Sequence, residues 1–270
     1  MKTVILCGGR GTRIRGIDDE LPKPMIPVGN FPILFHIMSH YASYGHNEFV
    51  LTLGYLGWKI KEFFLNLNAS INDFTIDLKS GNVEFQKNGN TLELDWKVIA
   101  AETGLDTQTS ARVRKIRKYV ENDDYFMLTY GDGLSSININ KLIEYHKKHG
   151  KIATVTGVRP SGRFGEIEIN DENKVMIFNE KPQVTTGRIN GGFFVIDAKK
   201  IWDYLPESDD VMLEQDPLRN LTKDGELMMY PHDGFWQPMD TYREYLYLND
   251  LWKNRKQTKI DLWKSFESVK

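Results

Sequence analysis

The first residues constrain the fold most: an apolar run, TVILC at 3–7, stops at Gly8 and Gly9. A run too short for a helix and ended by glycines predicts a buried strand that delivers the chain into a loop. Residues 32–42, PILFHIMSHYA, suit a helix that tolerates Pro32 in its first turn. A strand at 48–53 follows, then a helix at 57–66 with Ile60, Phe63 and Phe64 on one face. Strand, helix, strand, helix in so short a span argues for a parallel sheet covered by helices.

The segment 73–96 breaks this rhythm. Phe74, Ile76 and Leu78 alternate with polar neighbours, as do Val83 with Phe85 and Leu92 with Leu94, which predicts a pair of inserted hairpins. Strands are expected again at 97–101, 125–129 and 152–158, with helices at 109–120 and 140–149. Shorter strands follow at 166–169, 174–178, 189–196 and 226–230, with helical stretches at 198–204 and 212–221 and a closing amphipathic helix at 242–253. The expected class is α/β: a doubly wound, mostly parallel sheet with inserted hairpins and a smaller mixed C-terminal part. Residues 1–254 read as one domain and 255–270 as a strap or tail.

At 270 residues the chain can bury a sizeable core. Its 35 Lys and Arg against 37 Asp and Glu give a net charge of −2, so no general basic field exists to hold nucleic acid. An anionic ligand must therefore be held by a local pocket. Cys7 is the single cysteine, which excludes intrachain disulfides and cysteine zinc clusters. The stretch 24–47 lacks Asp, Glu, Lys and Arg, but Pro27, Gly29, Pro32 and three histidines bar it from spanning a membrane. With no apolar leader after Met1, a cytoplasmic protein is expected.

The loop after the first strand reads GGRGTR, residues 8–13. It lacks the Lys and Ser/Thr of a Walker loop and the third glycine of a dinucleotide fingerprint. What remains is a loop in which the bare N–H groups of Gly8, Gly9 and Gly11 can approach phosphate oxygens, with Thr12 and Arg13 as further donors. Lys23 follows between Pro22 and Pro24, whose rigid rings aim its ammonium at a fixed point. A glycine turn and a surface lysine are the plainer readings of each part; their combination after the first strand favours a phosphate site.

GGRGTR with LPKPM (21–25) resembles the signature of the sugar-1-phosphate nucleotidyltransferases. The resemblance runs on through TGLDTQT (103–109), TYGDG (129–133), GRFGEI (162–167), NEKP (179–182), INGGFFV (189–195) and GFWQPMDT (234–241). DTQT followed by Arg112, and FWQPMDT, look most like the glucose-1-phosphate cytidylyltransferases. The resemblance implies a Rossmann-like nucleotidyltransferase fold, and an enzyme that joins CTP to a sugar 1-phosphate and releases pyrophosphate. It also implies a homo-oligomer, for which the hairpin insertion offers an interface, and a place in nucleotide-sugar synthesis for surface polysaccharide.

Carried onto this chain, the family's pattern gives Arg13 and Lys23 the triphosphate and the transition state, with Asp132 as the third catalytic residue. Gly8, Gly9, Gly11, Thr12, Gln108 and Arg112 would face the nucleotide. Asp132 and Asp240 would hold Mg²⁺, and Glu180, Lys181, Asn190 and Gly165 the sugar phosphate. Asp132 in a turn and Asp240 at a helix cap are the structural alternatives. The chain departs from the pattern at Cys7, Arg10, Leu105, Ser110, Ala111 and Leu213. Another NTP, another phosphorylated substrate, or a noncatalytic nucleotide-sugar-binding relative are the alternatives.

Other signals are assigned to structure. His36 and His40 have the i, i+4 spacing of zinc ligands, yet no third ligand is evident and helix packing is the reading. The basic run at 112–118 reads as a solvated helix face, with only Arg112 in the site.

Overall fold

The protein is described from a computed structural model, which covers residues 1–10, 20–86, 94–159, 166–169, 174–179, 187–257 and 263. In chain order the strands are β1 (Thr3–Leu6), β2 (Pro27–Val28), β3 (Phe31–Pro32), β4 (Glu48–Leu53), β5 (Asp73–Ile76), β6 (Val83–Gln86), β7 (Lys97–Glu102) and β8 (Tyr125–Tyr130). They continue with β9 (Gly133–Ser135), β10 (Ala153–Val158), β11 (Glu166–Ile169), β12 (Val175–Asn179), β13 (Ile189–Asp197), β14 (Leu227–His232) and β15 (Trp236–Pro238). The helices are α1 (Ile33–Ala42), α2 (Gly57–Ile71), α3 (Thr109–Lys115), α4 (Arg117–Val120), α5 (Ile139–His149), α6 (Asp216–Lys223) and α7 (Tyr242–Lys253).

Seven strands form the central sheet in the order β14-β10-β13-β8-β1-β4-β7. The pairings β1–β4, β1–β8, β4–β7 and β10–β14 are parallel, while β13 runs antiparallel to both of its neighbours. Successive side chains of a strand point to opposite faces, and both faces here are apolar. Ile5 and Cys7 pack with Ile33, Ile37 and Tyr41 of α1, Ile139 and Leu142 of α5 and Leu248 of α7. Val4 and Leu6 pack on the other side with Val113, Ile116, Val120 and Leu221. The sheet is doubly wound and mostly parallel, as the run of short apolar strands led us to expect.

Several boundaries differ from expectation. The helix expected over 109–120 is two pieces, because Ile116 leaves helical geometry at φ −94°, ψ 4°. The stretch expected to be helical at 212–221 begins instead at Asp216, where Pro217 sits in the first turn. The stretch at 198–204 is a 3₁₀ turn over Ile201–Tyr204. Of the two hairpins expected at 73–96, β5 and β6 form one; Leu92 lies outside the described residues and Leu94 belongs to no strand.

Candidate active site

The site lies at the carboxyl ends of the parallel strands, where open α/β sheets bind ligands. Leu6, Cys7, Gly8 and Gly9 border a cavity of about 390 Å³ together with Lys23, Gln108, Arg112, Tyr130, Gly131, Asp132, Glu214 and Asp240.

At its floor Lys23 Nζ donates to Asp132 Oδ2 at 2.6 Å and to Asp240 Oδ1 at 2.5 Å. Local structure places all three. Lys23 opens a 3₁₀ turn (Lys23–Met25) whose Pro24 and Met25 are buried, with Met25 N donating to Pro22 O at 2.7 Å. Asp132 immediately precedes β9 and Asp240 follows β15 by two positions. Those strands pair antiparallel, Gly133 opposite Pro238, and Met239 N donates to Asp132 O at 2.8 Å. A pairing of two three-residue strands thus sets two sequence-distant carboxylates side by side. Asp240 does not cap α7: Thr241 is the N-cap in a capping box with Glu244, which leaves the Asp240 carboxylate to face Lys23.

Burial pulls the proton affinity of Lys23 down, and the carboxylates of Asp132 and Asp240 more than restore it, leaving its pKa above the ordinary lysine value. The ammonium is charged. Among the described residues no third His, Cys, Asp or Glu joins the two aspartates. Their donor set, two hard carboxylate oxygens already sharing one cation, suits a divalent ion that takes its remaining ligands from phosphate and water.

Arg112 is buried, and its guanidinium gathers the loops around the cavity. Nη1 donates to Leu53 O at 3.0 Å, Thr103 Oγ1 at 2.7 Å and Gly104 O at 3.0 Å; Nη2 donates to Gly8 O at 3.0 Å and Leu105 O at 3.4 Å. Gly8 is required by this packing, since a Cβ there would lie 2.0 Å from Arg112 Nη1. Gly9 is exposed, with nothing within 4 Å of where its Cβ would be.

Also at the cavity, the Tyr130 hydroxyl donates to Glu214 Oε1, Thr109 Oγ1 donates to Glu214 Oε2 at 2.9 Å, and Asn190 Nδ2 donates to Tyr130 Oη at 3.1 Å. Burial, then the Glu214 carboxylate, raises the Tyr130 pKa, so the phenol keeps its proton. Gly192, at φ +84°, admits the Tyr130 ring, which a Cβ would meet at 2.4 Å.

Of the residues singled out from sequence, Gly8, Gly9, Lys23, Gln108, Arg112, Asp132 and Asp240 border one cavity, and Asn190 joins it through Tyr130. Gly11, Thr12, Arg13, Gly165, Glu180 and Lys181 lie outside the described residues. Sequence reasoning missed Tyr130 and Glu214; the first sits inside TYGDG, and the second carries no signal of its own.

The nucleotidyl transferase family model matches residues 2–253, nearly the whole chain. The chain belongs to the nucleotidyltransferase family. Nucleotidyltransferases of this family generally use a divalent metal. Among curated relatives, this nucleotidyltransferase is 45% identical to the probable glucose-1-phosphate cytidylyltransferase of Bacillus subtilis, over 98% of this chain and 99% of that protein. It is 41% identical to the glucose-1-phosphate cytidylyltransferase of Salmonella typhimurium, over 99% of this chain and 100% of that one. The crystal structure of HddC from Yersinia pseudotuberculosis shares the fold at a TM-score of 0.68 and 22% identity, covering 93% of this chain and 99% of that one.

The histidines set aside from sequence serve packing. His36 Nε2 lies 2.8 Å from Val28 O, and its Nδ1 accepts from Trp263 Nε1 at 3.1 Å; His40 Nε2 lies 2.9 Å from Ile137 O. The basic run is likewise structural, with Arg114 and Lys115 both paired to Asp209.

Proposed function

We propose that this nucleotidyltransferase moves the cytidylyl group of CTP onto a sugar 1-phosphate, α-D-glucose 1-phosphate, giving CDP-glucose and pyrophosphate. One observation carries the reading: Lys23, Asp132 and Asp240 meet in a cavity bordered by Thr107, Gln108 and Thr109. The full-length likeness to proteins named glucose-1-phosphate cytidylyltransferases supports the choice of nucleotide and sugar. The departures at Leu105, Ser110, Ala111 and Leu213 do not count against CTP. Ser110, Ala111 and Leu213 are buried, Leu105 is exposed, and neither these four nor Arg10 borders the cavity, whereas the buried Cys7 does.

In the reaction an oxygen of the sugar phosphate attacks the α-phosphorus of CTP. A new P–O bond forms, the bond to the bridging α–β oxygen breaks, and pyrophosphate leaves with that electron pair. No covalent nucleophile is needed; two anions must be held together and in line while charge moves toward the leaving group. Lys23 offsets charge on the triphosphate, and Arg13 does the same from the glycine loop, with the N–H groups of Gly9 and Gly11 and the hydroxyl of Thr12 as further donors. Arg112 and Gly8 serve the nucleotide by shaping the loop, and Gln108 faces it. Lys181, Glu180, Gly165 and Asn190 hold the sugar phosphate. Asp132 and Asp240 would hold Mg²⁺, whose charge, when bound, offsets that of the phosphates.

Residues 1–254 act as one catalytic unit, followed by the strap or tail at 255–270, in which Trp263 is buried against His36 and Trp252. Among the described residues no helix is long and apolar enough to cross a membrane, and the lone cysteine is buried; both accord with a cytoplasmic protein. On β5 and β6, Phe74 faces Phe85 and Ile76 faces Val83, all four exposed on one side of a two-stranded hairpin. Such a hairpin needs covering, which supports a homo-oligomer with this face at its interface. The enzymatic reading is tested by pyrophosphate release with four NTPs against several sugar 1-phosphates: CTP with glucose 1-phosphate is the expected best pair, and a UTP or GTP preference would overturn it.

A further inference from the structure

We propose that the Lys23 ammonium is a resident counter-ion that occupies the divalent-cation position of the free enzyme and competes with the cation for it, so that this position fills readily only once a triphosphate draws Lys23 away. The inference goes beyond the reaction and rests on the reading of Asp132 and Asp240 as metal ligands.

Geometry carries it. Lys23 Nζ lies 2.6 Å from one carboxylate and 2.5 Å from the other, so it stands between them, where a cation shared by both must also stand. Its side chain is 11% exposed, against 31% and 29% for Asp132 and Asp240, so the ammonium is the more deeply seated partner. The carboxylates do not depend on Lys23 for their approach: the β9–β15 pairing and the Asp132–Met239 backbone hydrogen bond bring them together. Without a positive charge between them they would repel in a partly buried setting.

An ammonium and a divalent cation cannot share that gap. In the free enzyme the two compete, and the ammonium, tethered by its own chain, is always present. A triphosphate changes the balance because its oxygens give Lys23 another set of anionic partners across the same cavity. Lys23 then leaves the aspartates for the phosphates, and cation and triphosphate each favour the binding of the other to an equal degree. The device has two results. It keeps an unliganded site from holding two unpaired carboxylates, and it ties the cation to the arrival of the nucleotide.

The test measures Mn²⁺ binding to the full-length protein without nucleotide, by electron paramagnetic resonance of the free ion. Lys23→Met is expected to bind Mn²⁺ about tenfold or more tightly than the wild type, within the usual range of such couplings. Equal affinity in the two proteins would overturn the proposal. Asp132→Asn and Asp240→Asn separate this result from the reading beneath it. If both bind Mn²⁺ as well as the wild type, the metal-ligand reading fails. If both lose Mn²⁺ while Lys23→Met gains nothing, only the counter-ion role fails. A second measurement needs no variant: acetic anhydride labelling of Lys23 in the wild type, read by peptide mass spectrometry with and without saturating Mn²⁺. Increased labelling with Mn²⁺ supports displacement of the ammonium; unchanged labelling with the ion bound overturns it.

Discussion

Arg112 Nη2 donates to the carbonyl of Gly8 at 3.0 Å, tying helix α3 to the loop that leaves β1. Through Nη1 the same guanidinium reaches Leu53, Thr103 and Gly104, so the loops after β1, β4 and β7 meet on one buried cation. Arg112→Met removes every one of these charged donors, although Leu53 O keeps Thr103 N and Oγ1 and Gly8 O keeps Tyr55 N, at an expected cost of about 1.5–3 kcal/mol in stability, read from urea melts. Arg112→Lys recovers less than half of it, because one ammonium cannot span acceptors arranged for a planar fork. A midpoint unchanged in Arg112→Met would show that the loops hold themselves.

The glycine loop contains an internal control. Gly8→Ala places a methyl 2.0 Å from Arg112 Nη1 and is expected to destabilise by about 1–3 kcal/mol, the usual range for overpacking. Gly9→Ala has nothing within 4 Å and should stay within about 0.5 kcal/mol of wild type. Comparing thermal midpoints of the two variants checks this; equal midpoints would contradict the packing.

Acid should destabilise the fold in a defined window. Burial lowers the pKa values of His36, His40 and His146 from 6.5 to about 4. Between those values the unfolded chain binds protons that the native chain refuses. The histidines' contribution is therefore intact above pH 6.5 and is lost as pH falls toward 4, each group costing roughly 1.4 kcal/mol for every pH unit crossed inside that window. Urea melts at several pH values across this window check the sign, and a stability that holds flat down to pH 4 would refute it.

The hairpin face makes a separate prediction. Phe74→Ser combined with Phe85→Ser removes the exposed cross-strand aromatic pair while leaving the catalytic cavity untouched. Light scattering is expected to show a smaller assembly than the wild type, with the fold retained by circular dichroism. A particle of unchanged mass would place the interface elsewhere.

Much of the fold was legible because buried parallel strands read as short apolar runs. Val4 and Leu6 face one layer, Ile5 and Cys7 the other, and no polar residue interrupts them. The last helix was placed at both ends by its amphipathic pattern, and the structure adds a capping box, Thr241 with Glu244, at its N-terminal end. The pairing of β9 with β15 left no trace in the sequence, since two three-residue strands have no periodicity to read. It is this pairing that joins the two aspartates. Arg112 was legible as a site residue, but not as the clamp of three loops, because its acceptors are mostly backbone carbonyls, which any sequence supplies. Glu214 was missed for a related reason: its partners Thr109 and Tyr130 are distant in the chain, so only folding reveals a wall of the cavity.

The most direct measurement of the central claim is product formation from CTP labelled at the α-phosphorus, with glucose 1-phosphate and Mg²⁺, by the wild type and by a folded Asp132→Ala protein. The account predicts labelled CDP-glucose and equimolar pyrophosphate from the wild type, with turnover reduced about 10²-fold or more in the variant. Undiminished turnover in the Asp132→Ala protein, or a wild type that ignores CTP while consuming another nucleotide, would contradict it.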